Sequence, residues 1–160
     1  MISLPITSPQ ILSGSSSLKI WGEVIGSEIT HAAEPLISAQ CYRVAVQEGH
    51  TASVAVSFKQ KPTREQILQA WADYVGEAAL LDLPSAPKPF LLYREEENRP
   101  QPALDVNREN GMGVTIGRLR EDKILDWKFT CLSHNTVRGA AGGAILMAEL
   151  LTKQGYINKK

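Results

Sequence analysis

Arg43 and His50 stand seven residues apart, on either side of the short polar stretch Gln47-Glu48-Gly49. A guanidinium is a planar fork of N–H donors that can grip a carboxylate through two parallel hydrogen bonds. An imidazole titrates near neutrality and so can move a proton as general acid or base. An arginine on an apolar strand has two uses, a structural ion pair with an acidic side chain or a hold on a substrate carboxylate. His50, next to a turn, is either a surface imidazole or an acid–base group. A second cluster, Ser133-His134-Asn135-Thr136-Val137-Arg138-Gly139-Ala140-Ala141-Gly142-Gly143, puts small residues at a helix start, where free N–H groups admit an anion or another backbone. Its alternative use is close helix packing. His31, His50 and His134 have no cysteine or carboxylate cluster at ligand spacing, so no metal is expected. Gly111-Met112-Gly113-Val114-Thr115-Ile116-Gly117 is not a dinucleotide fingerprint, because a strand rather than a helix follows the glycines.

These residues need elements to hold them. Leu36 to Val46 and His50 to Phe58 read as two strands of a hairpin around Gln47-Glu48-Gly49. With Ala45 opposite His50, the residues Ile37, Ala39, Cys41, Arg43 and Ala45 share a face with His50, Ala52, Val54, Val56 and Phe58. A slip by one residue would set apolar against polar. This register puts Arg43 and His50 on one face. Pro62-Thr63-Arg64-Glu65-Gln66 is a capping box, and Ile67, Leu68, Trp71, Ala72 and Val75 continue it at helical spacing to a stop at Gly76. A short strand is expected over Phe90 to Tyr93, then a charged loop from Arg94 to Pro102. A strand pair, Met112 to Leu119 and Ile124 to Leu132, comes next, and then a helix from Arg138 to Gln154, capped by Asn135 or Thr136 and ended at Gly155. Strands and helices without strict alternation predict an α+β fold of mostly antiparallel sheet backed by helices.

The whole chain sets bounds on function. Its 160 residues suit one domain, and 43% hydrophobic with 21% charged content describes a chain that folds. Seventeen basic residues balance seventeen acidic ones, leaving no field to gather nucleic acid or anionic lipid. Cys41 and Cys131 lie in apolar runs, as packed thiols of a reducing compartment do, so a cytoplasmic location is expected. Pro5 and Pro9 interrupt the N-terminus before a signal peptide's apolar run develops, and no stretch is long and apolar enough for a membrane span.

Several stretches together resemble aspartate-semialdehyde dehydrogenase of the archaeal and fungal branch. They are Ser38-Ala39-Gln40-Cys41-Tyr42-Arg43-Val44-Ala45-Val46-Gln47-Glu48-Gly49-His50-Thr51, Leu83-Pro84-Ser85-Ala86-Pro87, Arg99-Pro100-Gln101-Pro102, Gly117-Arg118-Leu119-Arg120 and the run Ser133 to Gly143. The likeness covers about residues 36 to 157 and concerns the family's C-terminal half. It implies the C-terminal domain fold shared with glyceraldehyde-3-phosphate dehydrogenase, over 36–160, with 1–35 as a leading segment. In that family a nucleotide-binding domain joins a substrate and dimerisation domain, and aspartyl phosphate is reduced by NADPH through a cysteine thioester. The resemblance implies that Arg43 binds the substrate carboxylate and His50 is the acid–base histidine. Asn135 and Thr136 would lie near the cofactor and the other domain, and Arg43, Asn135, Thr136 and Tyr42 are expected to bind substrate. Tyr42 stands where the family usually carries Asn, and Ala45 where it carries Pro.

The family's nucleophilic cysteine and NADP site belong to its N-terminal half, and Cys41 does not match the nucleophile's motif. The reading is therefore a free-standing relative, a homodimer without cofactor, repurposed for non-redox cyclase, isomerase or lyase chemistry on a small carbonyl or carboxylate metabolite. The alternatives are a portion of a true NADPH-dependent dehydrogenase, with NADP bound by a domain supplied in trans, and a non-catalytic dimerisation module.

Overall fold

The structure is a computed structural model that describes residues 15–158; the readings at Met1–Pro5, Pro9 and Ser13-Gly14 lie outside the described residues. The chain divides into two compact units, the first ending at Ala45 and the second beginning at Val46.

In the first unit, α1 (Ser15–Ile20) is followed by a small antiparallel hairpin of β1 (Glu23–Ile25) and β2 (Glu28–Thr30). Gly26 in its turn has φ +63°, a left-handed conformation that glycine adopts without a Cβ clash. From His31 to Ala45 the backbone carries neither helix nor strand. The strand expected over Leu36 to Val46 is therefore not formed. Leu36 and Tyr42 are 95% and 79% exposed, and Cys41, expected to be packed, is exposed too.

The second unit contains β3 (His50–Val56), α2 (Arg64–Ala72), α3 (Glu77–Leu80), β4 (Leu91–Arg94), α4 (Pro102–Asp105), β5 (Val114–Glu121), β6 (Trp127–Ser133) and α5 (Gly142–Lys153). The sheet order is β3-β6-β5-β4, antiparallel except for the parallel β4–β5 pair. This is the expected α+β architecture. In place of the expected hairpin strand, β6 is the partner of β3, with His50 opposite Ser133 and Val56 opposite Trp127. The physical reason lies in the turn. A tight hairpin would close on the preceding segment, but the Gly49 N–H donates to Asn135 Oδ1 at 2.7 Å and commits the turn to the end of β6. At its other end β3 stops at Val56, because the amide of Phe58 and the hydroxyl of Ser57 bond the Asp126 carboxylate.

Alternation along the sheet puts His50, Ala52, Val54 and Val56 on the same face as Trp127, Phe129, Cys131 and Ser133. The far end of this face is covered by α2. The capping box forms as read: Thr63 Oγ1 accepts from the Gln66 amide and Gln66 Oε1 accepts from the Thr63 amide. Ile67, Leu119 and Trp127 form the buried centre, with Val56, Leu68, Trp71, Tyr93 and Phe129 packed around it. Trp71 meets Phe129 edge-on at 5.1 Å, and the Trp127 indole donates to the Pro62 carbonyl. The helix ends at Ala72, before the expected Val75. Gly76 instead starts α3, and Val75 is exposed. Among the described residues no helix is long and apolar enough to cross a membrane.

Candidate active site

Three strand ends meet around His50. It opens β3 opposite Ser133, the last residue of β6, and Ser133 in turn lies opposite Val114, the first residue of β5. The His50 side chain is exposed, but the backbone before it is not. Gly49 is buried with φ +106°, and a Cβ there would come within 2.9 Å of Leu132 Cδ1 and 3.3 Å of Val106 Cγ2. Only glycine suits both the conformation and the space. Its N–H is held by Asn135, and one residue further on Thr136 Oγ1 donates a long hydrogen bond, 3.4 Å, to Glu48 Oε2. The sheet and these two ties thus bring His50, Asn135 and Thr136 to one end of the second unit. Tyr42 and Arg43 belong to the first unit, where both lie exposed on irregular chain.

The turn after β6 differs from the expected helix cap. Asn135 is drawn off to Gly49, and the Thr136 side chain makes no cap bond. Buried His134 takes over, its Nδ1 accepting from the amides of Thr136 and Val137, each at 3.3 Å. An accepting Nδ1 puts the ring proton on Nε2. A π turn, Val137–Ala141, then leads into α5, so the last helix starts as a wider coil than an α-helix. Gly155 ends it as read, with φ +83°. Arg138 Nη1 donates to the Met112 carbonyl at 2.9 Å, and its guanidinium lies 4.0 Å from the Phe90 ring centroid. Burial pushes this guanidinium below its ordinary pKa. These contacts pin the turn to the start of β5.

The sequence reading passed over a second polar construction. Asp105, at the end of α4, has a fully buried carboxylate. Arg99 binds both its oxygens, the Gln101 amide donates at 2.8 Å and Arg108 Nε at 2.9 Å. Burial pushes the Asp105 carboxyl up, but these donors outweigh it and hold the group well below the usual carboxylate range. The three-residue spacing of Asp105 and Arg108 was the available signal. Val106, the residue after Asp105, is one of the neighbours that crowd Gly49. Cys131 sits in β6 with its thiol pushed up by burial, which makes it a poor nucleophile.

Three glycines of the second unit are packed closely by the chain itself. A Cβ on Gly113 would come within 2.6 Å of Leu92 Cδ1, one on Gly117 would strike the Arg99 carbonyl, and one on Gly111 would meet His134 and Val137. At these three positions the missing Cβ admits the chain's own packing. What the arrangement offers is an imidazole open to solvent on a tied-down backbone, a group of the kind that can exchange a proton with a small molecule.

Comparison with known proteins gives a consistent result. The family described as "Semialdehyde dehydrogenase, dimerisation domain" matches residues 9–138. Aspartate-semialdehyde dehydrogenase of Saccharomyces cerevisiae is 47% identical over 123 residues, covering 76% of this chain and 34% of the relative. That of Archaeoglobus fulgidus is 43% identical over 140 residues, covering 88% of this chain and 39% of the relative. The crystal structure of aspartate semialdehyde dehydrogenase with NADP from Candida albicans superposes with TM-score 0.80 at 40% identity, covering 89% of this chain and 42% of that one. The chain thus spans little more than a third of the length of the curated relatives it matches.

Proposed function

The chain belongs to the semialdehyde dehydrogenase dimerisation-domain family, and from that premise we propose that it is the substrate-binding and dimerisation portion of an aspartate-semialdehyde dehydrogenase. The observation that carries this reading is the 47% identity to a dehydrogenase of that name across three-quarters of the chain. His50 is the acid–base group, giving and taking a proton at the substrate through a ring nitrogen exposed at the start of β3. Such a group contributes roughly 10²–10⁴-fold to the rate. The family resemblance supports the roles of the remaining residues, each taken within its own unit: Arg43 as the fork for a substrate carboxylate, with Tyr42 beside it in sequence, and Asn135 and Thr136 as substrate contacts in the second unit. Binding of NADP is assigned to a separate nucleotide-binding domain, as the family resemblance implies, supplied in trans where this chain stands by itself.

Free-standing non-redox cyclase, isomerase or lyase chemistry has weaker support. Its basis was the missing nucleophile and cofactor residues, and relatives at 43–47% identity give no second substrate class in its favour. The experiment is complementation. The chain is mixed with the nucleotide-binding portion of a fungal aspartate-semialdehyde dehydrogenase, and NADPH formation from aspartate semialdehyde, NADP and phosphate is followed. Activity that depends on both partners supports the reading; none at saturating partner sinks it.

A homodimer is part of the same proposal. Ala141, Ala144, Ile145 and Ala148 expose an apolar face at the start of α5, with Ile145 56% exposed, and family membership favours covering such surface with a second copy. Sedimentation of a strict monomer at all concentrations would count against it.

A further inference from the structure

We propose that Asn135 is a positioning residue for His50, its side-chain carbonyl holding the Gly49 amide and so fixing the backbone from which the imidazole projects. The inference rests on the reading of His50 as the acid–base group, and it gives Asn135 a part distinct from substrate contact. Gly49 is buried, so its N–H must be met within the protein, and its partner lies 86 residues away in sequence. A backbone N–H can only donate, so the Asn135 atom facing it is the carbonyl oxygen.

The grip on residue 49 is reinforced on three sides. Leu132 and Val106 leave no space for a Cβ, the φ of +106° keeps the peptide in a turn, and Thr136 reaches Glu48 one residue earlier. On the other side of His50, Thr51 is in register with buried Leu132. His50 is therefore an exposed side chain on a backbone held before and after it. Proton transfer depends on geometry within a few tenths of an ångström to an ångström, and a slack residue 49 would loosen it. A tie made by a side chain from the β6 turn also explains why His50 keeps its place at the sheet end without a strand at Leu36–Val46.

The test uses the 160-residue chain and two readouts by nuclear magnetic resonance, hydrogen exchange at the Gly49 amide and the His50 Cε1–H cross-peak. Asn135→Ala should speed Gly49 exchange at least about tenfold, the scale of one lost hydrogen bond to a buried amide. It should also broaden or split the His50 cross-peak, while the amides of Ile116 and Cys131 stay within about twofold of the parent, as a local opening requires. Asn135→Asp keeps the accepting oxygen and should restore both signals. Unchanged Gly49 exchange and an unchanged His50 cross-peak in Asn135→Ala would overturn the proposal, and so would Asn135→Asp behaving like Asn135→Ala. Full activity of a complemented His50→Asn chain would overturn the acid–base reading beneath it. That failure is distinguishable, because it leaves the Gly49 exchange result as it was.

Discussion

The two ends of β6 are built on different physics. At Trp127 the strand is buried under α2 against Ile67 and Leu119, and aromatic rings fill the space around it. Here stability comes from apolar area removed from water, and many side chains of similar volume would serve. At Ser133 the strand runs into His134, Asn135 and Arg138, each spent on a specific hydrogen bond to a turn or strand end nearby. These bonds add little net stability, about 1 kcal/mol each, but they fix where atoms stand. The difference teaches that one end of the strand keeps the domain folded while the other keeps His50 in place.

That contrast can be broken by mutation. Trp127→Ala should cost about 3–5 kcal/mol, read as a lower denaturant midpoint, because it removes a large buried ring and its indole hydrogen bond. A loss under about 1 kcal/mol would remove the apolar end from the account of stability. Asp105→Asn should cost about 3 kcal/mol, since two guanidiniums then lose their carboxylate in a buried setting. Its pH dependence sharpens the point. The folded carboxyl titrates below its ordinary value of 3.8, so its contribution is fully present above that value and is lost as pH falls through and below it. The stability gap between parent and Asp105→Asn should therefore shrink as the pH is taken from about 6 to about 3. A constant gap would contradict the charged network.

Gly49→Ala should have a smaller effect on stability, about 1–3 kcal/mol, from a left-handed backbone and a methyl group pressed on Leu132. It should disturb the His50 resonance far more than Trp127→Ala does at matched stability. The reverse order would dissolve the distinction between the two ends.

What the sequence made legible was local. The capping box at Thr63 and Gln66, the β5–β6 pair and the stop at Gly155 are set by residues within a few positions of one another. The α2 boundary differs from the expectation because the helix stops at Ala72 and Gly76 caps the start of the next one. The expected hairpin is absent for a different reason. Alternation on β3 was read correctly, but alternation names a face and not a neighbour, and β6 lies far along the chain. The bond of Asn135 to Gly49 spans 86 residues and has no local signature. Of the Arg99–Asp105–Arg108 network only Arg99 falls in the charged loop expected over Arg94 to Pro102, and the other two residues carry no expectation. The buried carboxylate became apparent only once the sheet had packed against it.

The most direct measurement is the turnover of the chain complemented with a nucleotide-binding domain, compared with that of a His50→Asn variant of matched thermal midpoint. His50 is exposed, so the substitution should leave the fold intact. Turnover should fall by roughly 10²–10⁴-fold, the share that a positioned acid–base group supplies. Equal turnover in the two proteins would contradict the assignment of proton transfer to the first residue of β3.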